Sequence, residues 1–235
     1  MRLHRFYITK PLGEEIVSVD DLALIHQLTS VFRYKDNDEV ILFSGDGYDY
    51  HYSILSSSKK EISFKLINKR ESIAIDKNIT LYMSLVKKDT FEHIIRACTE
   101  LGVTHFVPII AERCEKKGLN EERLKIIAIE ASEQCGRGDV PTISPIISIK
   151  DAVNSVSSNA QILVASLLGE KVTSDNIQNC LKKKDISIFI GPEGGWSEGE
   201  EKMFENKGFI RMKLTDTVLK ADTGAQTALS TIILS

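Results

Sequence analysis

ISIFIGPEGGWSEGE, residues 186–200, joins five residues rich in β-branched and aromatic types to a glycine-rich break, then to a serine followed by carboxylates. The first five suit a buried strand, and Ser197 with Glu200 forms the S-x-x-E pattern that caps a helix. A strand that turns into a helix is the building unit of a parallel sheet. In such sheets ligands bind outside the carboxyl ends of the strands, which is where GPEGG sits. A turn needs one glycine or two, whereas Gly191, Gly194 and Gly195 crowd around Pro192. Bare backbone there admits a flat or bulky ligand without interference from Cβ atoms. The same residues also suit a plain tight turn with capping carboxylates.

Charge narrows the ligand class. Phosphate-binding helix starts use the positive end of the helix dipole and usually add a lysine. Here Glu193, Glu198, Glu200 and Glu201 surround that end, so a polyphosphate such as ATP, GTP or NAD is repelled. The chain has neither G-x-G-x-x-G nor G-x-x-x-x-G-K-[ST]. A ligand without phosphate and with positive charge, such as S-adenosylmethionine, fits better.

Around this stretch the chain has two rhythms. Before residue 70, VILF and YDYHYSIL flank the turn SGDG, and SSSKK separates that strand from EISFKLI. Short strands at this spacing predict a small barrel, interrupted by one helical insert, VDDLALIHQLTSVFR. From residue 76, strands and helices alternate: ITLYMSLV, DTFEHIIRACTELG, HFVPII, NEERLKIIAIEASEQCG, a proline-broken stretch, QILVAS, DNIQNCLKKK, ISIFI, a helix, FIRMKL and a last apolar helix. That alternation predicts an α/β domain over residues 76–235 with a parallel sheet covered on both faces. Residues 1–70 form the smaller β domain, and KRESIAIDKN links the two.

At 235 residues and net charge −3 the chain is not built to coat nucleic acid nonspecifically. Residues 1–70 hold ten Lys and Arg against ten Asp and Glu, so contact with RNA must rest on particular side chains. The cysteines Cys98, Cys114, Cys135 and Cys180 lack metal-ligand spacing, which predicts reduced thiols and no metal. MRLHRFYITK is no signal peptide and no apolar run has membrane-spanning length, so a cytoplasmic protein without a membrane partner is expected.

GPEGGWSEGE, KKDTFEHIIRACTELGVTHFVPIIAERC, IEASEQCGRGDVP and IHQLTSVFRYKDNDEVILFSGDG together resemble the RsmE-type SPOUT RNA methyltransferases, in order and spacing, over nearly the whole chain. The resemblance implies a PUA-like barrel, then an α/β domain whose chain forms a trefoil knot that holds S-adenosylmethionine. It also implies a homodimer that methylates N3 of a uridine in small-subunit ribosomal RNA, free or in the assembled subunit. Cofactor contacts carried over are Leu167, Ile190, Gly191, Pro192, Glu193, Gly194, Gly195, Leu214, Thr215, Leu219 and Thr223.

The last motif departs from the family's L-G-x-R-I-L-R-T-E-T-A. Glycine is Thr215, the arginines are Thr217 and Lys220, and the glutamate is Asp222. A bidentate fork is lost and one charge is kept. A catalytically impaired RNA-binding protein of the same fold is therefore the alternative reading.

Uridine N3 is protonated at neutral pH, so its methylation needs a base or cations that stabilise the anion. The catalytic candidates are Asp222 as base, Lys220, Arg113 and Glu130. Glu130, Gln134 and Arg137 fall at i, i+4 and i+7, which puts them on one face of an expected helix. The RNA candidates are Arg2, His4, Arg5, Arg33, Arg113 and Arg137. Tyr48, Tyr50 and Tyr52 alternate along one strand face, which suits barrel core or stacking on bases.

Overall fold

The computed structural model describes residues 3–73, 76–115, 118–173 and 183–234. They divide into two compact units, Met1–Ala74 with Ser132–Val140, and Ile75–Ala131 with Pro141–Ser235. Most of the helix expected over DNIQNCLKKK lies outside the described residues, as do Arg2 and Cys180.

In the first unit β1 (Arg5–Tyr7), β2 (Ile16–Val19), β3 (Glu39–Phe43), β4 (Tyr48–Ser57) and β5 (Ile62–Glu71) form one sheet, ordered β1-β3-β4-β5-β2. SGDG turns β3 into β4, with Gly45 and Gly47 at φ 86° and 87°, where a side chain would be strained. Tyr50 and Tyr52 are buried with Phe6, Leu28 and Phe64, so those two tyrosines are core and not a stacking surface. The insert begins as α1 (Leu22–His26), capped by the Asp21 side chain, and continues as a π-helical turn over Gln27–Val31.

The second unit carries β6 (Asn78–Ser84), α2 (Lys88–Glu100), β7 (His105–Ile110), α3 (Glu121–Cys135, whose residues from Ser132 on count with the first unit), β8 (Thr142–Ile143), β9 (Ile147–Ser148), α4 (Ile149–Ser155), β10 (Gln161–Lys171), β11 (Asp185–Ile190), α5 (Glu198–Asn206), β12 (Ile210–Lys213) and α6 (Ala221–Ile233). Its sheet runs β12-β10-β11-β6-β7-β8, β9 also pairs with β7, and every pairing is parallel. The short β8, β9 and α4 occupy the proline-broken stretch. Their local signal is Ser148, whose hydroxyl accepts from the Asp151 N–H, ahead of the buried Ile149, Ala152 and Val153.

Central strands are apolar on both faces, as two-sided burial requires. Ile186, Ile188 and Phe189 of β11 are buried, and Phe189 stacks on its register partner Tyr82 at 4.3 Å between ring centroids. Each such side chain contributes about 1.5–3 kcal/mol by leaving water. Because the strands are parallel, the carboxyl ends of β10, β11 and β12 share one edge.

The expected shared face of Glu130, Gln134 and Arg137 is corrected here. The helix stops at Cys135, Gly136 takes φ 93°, and Arg137 lies beyond it in a bridge to Ile73. A glycine in the left-handed region is an ordinary helix stop.

Candidate active site

A cavity of about 410 Å³ opens where β10, β11 and β12 end. One wall is Ile190–Trp196 after β11, a second is Leu214, Thr215 and Thr217–Ala221 together with Gly224 around the start of α6, and a third is Ala165–Leu168 on β10.

The glycine loop has a reason for each bare position. A Cβ on Gly191 would lie 3.2 Å from the Trp196 indole, and one on Gly194 would lie 3.2 Å from the Arg113 Cβ. Gly195 takes φ 68° and donates its N–H to the Pro192 carbonyl at 2.9 Å. Two of the three glycines thus make room for protein side chains, a role the sequence did not disclose. Trp196 is buried and donates Nε1–H to the Ala165 carbonyl at 2.9 Å, tying the loop to β10. Arg113 Nη1 donates to the Gly194 carbonyl at 2.8 Å.

The capping box forms as its spacing predicts. Ser197 Oγ accepts from the Glu200 N–H, and Glu200 Oε2 accepts from the Ser197 N–H. Glu200 Oε1 also accepts from the Glu112 N–H at 2.8 Å, which braces the turn that carries Arg113. The four carboxylates therefore divide. Glu193 and Glu198 are exposed at the cavity, whereas Glu200 is committed to backbone amides and Glu201 is buried.

In the second wall Thr215 Oγ1 donates to the Thr217 carbonyl at 2.7 Å. Asp216 pairs with Lys171 at 2.5 Å and Lys213 at 3.2 Å, and these hydrogen bonds hold its carboxyl below the ordinary value of 3.8. Lys220 is exposed at the N-cap of α6, and its ammonium has no hydrogen bond or ion pair among the described residues.

Residues 74–233 match the RNA methyltransferase domain family, and residues 20–67 match the RNA methyltransferase PUA domain family. The chain belongs to the RNA methyltransferase family. It is 30% identical to a ribosomal RNA small subunit methyltransferase E of Rickettsia conorii, covering 100% of this chain and 96% of that one. It is also 30% identical to the protein of the same name from Aquifex aeolicus, covering 86% and 88%. A ribosomal RNA small subunit methyltransferase E from Neisseria gonorrhoeae, solved with S-adenosyl methionine bound, superimposes with a TM-score of 0.87 at 28% identity, covering 97% and 96%. The architecture is that of the SPOUT methyltransferases, a parallel α/β domain following a PUA-like one.

Of the cofactor residues expected in this methyltransferase, Leu167, Ile190, Gly191, Pro192, Glu193, Gly194, Gly195, Leu214, Thr215 and Leu219 line the cavity, and Thr223 does not. Arg113 and Lys220 line it too. Asp222 stands outside the wall in the first turn of α6, its Oδ1 accepting from the Thr223 N–H at 2.8 Å. Glu130 is an exposed residue of α3, 3.6 Å from Arg96, and is not brought to the cavity. Sequence reasoning missed Ser166, Leu168, Met212 and Val218 in the wall. Leu168 and Val218 had a signal, being apolar residues beside the motifs, and Ser166 had none.

Among the RNA candidates the first unit separates two kinds. Arg5 is 6% exposed, pairs with Asp49 at 2.6 Å and donates to the carbonyls of Ser132 and Arg137. Arg137 is 3% exposed and clasps Asp139 with two donors, at 3.0 and 2.8 Å. Both are internal struts, a correction to their expected place on RNA, because buried guanidinium groups need carboxylate and carbonyl partners. His4 and Arg33 are exposed, and Arg33 holds φ 59°, an uncommon conformation for a non-glycine residue.

Proposed function

We propose that this protein methylates N3 of a uridine in small-subunit ribosomal RNA with S-adenosylmethionine as donor. The observation that carries the reading is the cavity itself. It has walls of Leu167, Ile190, Leu214 and Leu219 and a rim bearing Glu193 and Glu198. Its volume falls within the range of about 300–1,000 Å³ usual for small-molecule sites. The apolar walls suit a nucleoside, and Glu193 and Glu198 at the rim suit a cationic tail. When bound, S-adenosylmethionine supplies an electrophilic methyl group, and its carbon–sulfur bond breaks as the bond to N3 forms.

The chain's own residues handle the other reactant. Arg113, anchored by Gly194, and Lys220, without a partner among the described residues, place two cations at the cavity. Cations there stabilise the charge spread over O2, N3 and O4 when the N3 proton leaves. Asp222, two residues beyond Lys220, is the acceptor for that proton in this reading. His4 and Arg33 of the first unit, together with Arg2, contact RNA phosphates.

A homodimer belongs to this reading, and Ile233 and Leu234, exposed next to each other at the end of α6, support it as an apolar contact. No helix among the described residues is long and apolar enough to cross a membrane. Acting on ribosomal RNA, the protein works in the cytoplasm in this reading.

The test is single-turnover methyl transfer to small-subunit RNA and to assembled subunits, with the modified base identified by mass spectrometry. The expected product is 3-methyluridine. RNA binding without transfer to any ribosomal substrate would overturn the enzyme in favour of a binding protein.

A further inference from the structure

The β10 wall of the cavity is irregular. Ala165 and Glu170 both pair with Met212 of β12, so Ser166–Gly169 bulge out of the ladder. Gly169 makes the return possible, because a Cβ there would lie 2.5 Å from the Arg211 carbonyl carbon. The bulge leaves Leu167 58% and Leu168 70% exposed on the cavity wall. Burial does not hold two leucines in such a place, so a polar anchor must.

Ser166 supplies one. It is buried, its Oγ–H donates to Glu201 Oε1 at 2.6 Å, and its Oγ accepts from the Leu168 N–H at 3.0 Å. Glu201 reaches it from α5, itself buried, with Oε2 3.6 Å from Arg211 Nη1 on β12. One hydroxyl thus fastens the leucine bulge to the helix that follows the glycine loop.

We propose that Ser166 and Glu201 are positioning residues that set cofactor affinity by holding Leu167 and Leu168 as an apolar wall against the nucleoside part of the cofactor. The proposal rests on the cofactor reading above. The residues act through the leucines and touch none of the reacting atoms.

The experiment is calorimetric titration of S-adenosylmethionine into the full chain, paired with steady-state methyl transfer. Ser166→Ala should weaken binding about tenfold, the size of one lost buried hydrogen bond. It should raise KM for the cofactor to match and leave kcat within about twofold, since uniform binding alone is lost. Ser166→Thr keeps the hydroxyl and should restore affinity. In a Leu167→Ala/Leu168→Ala background, Ser166→Ala should cause no further loss. Wild-type affinity in Ser166→Ala, or an additive loss in that background, would overturn the latch while leaving the cofactor reading intact. A wild-type protein that binds no S-adenosylmethionine would overturn both.

Discussion

Two loops face each other across the cavity and are built by opposite means. Gly191–Gly195 is shaped by missing atoms: Trp196 and Arg113 fill the space that Cβ atoms on Gly191 and Gly194 would enter. Leu214–Lys220 is held by added atoms: the Thr215 hydroxyl on the Thr217 carbonyl, and Asp216 between Lys171 and Lys213. A side chain at either glycine makes its neighbour give by a few tenths of an ångström. A wall defined by polar pairs can exchange one pair for another. In this chain the loop with the altered motif, held by its own polar pairs, still lines the cavity.

The sharpest break is expected in the glycine loop. Gly194→Val places branched carbons against Arg113 and should cost on the order of a hundredfold in cofactor affinity, near the ~3 kcal/mol upper end of overpacking. Calorimetry alongside circular dichroism checks this, with secondary structure expected to be unchanged. Lys220→Ala comes next. Turnover should fall roughly ten- to a thousand-fold, as for single electrostatic groups, while cofactor binding changes little. Single-turnover transfer reads the first and calorimetry the second.

Smaller effects sharpen the contrast on the polar side. Thr215→Val keeps the volume and removes the donor, so affinity should fall by about fivefold, as for one hydrogen bond worth ~1 kcal/mol. Asp216→Asn should change affinity by about twofold or less, because exposed ion pairs contribute little. The sign of its pH dependence follows from the lowered carboxyl value. The pairing contributes above the ordinary carboxylate value of 3.8 and is lost as pH falls through the depressed folded value. The difference in folding stability between wild type and Asp216→Asn, measured by denaturation against pH, should therefore close on acidification.

Much of this was legible in the sequence because it rests on local rules. The Ser197–Glu200 cap, the SGDG turn and the alternation of strands and helices each follow from residues a few positions apart. What stayed hidden depends on partners far along the chain. Arg5 reads as a free cation until Asp49 is found 2.6 Å away, and Ser166 reads as an ordinary serine until Glu201 is found beside it. Glu130 sits in a motif that carries the family resemblance, yet its carboxylate meets Arg96 on the surface. The glycines were legible as special, but Trp196 and Arg113 supply the reason.

The central claim is that the cavity between these loops takes a nucleoside with a cationic tail and no phosphate. Competition calorimetry at pH 7 tests it most directly, with S-adenosylmethionine titrated into the protein alone and then in the presence of excess ATP. The account predicts saturable binding of S-adenosylmethionine that ATP does not weaken and that Gly194→Val removes. ATP binding as tightly as S-adenosylmethionine, or undiminished binding to Gly194→Val, would contradict it.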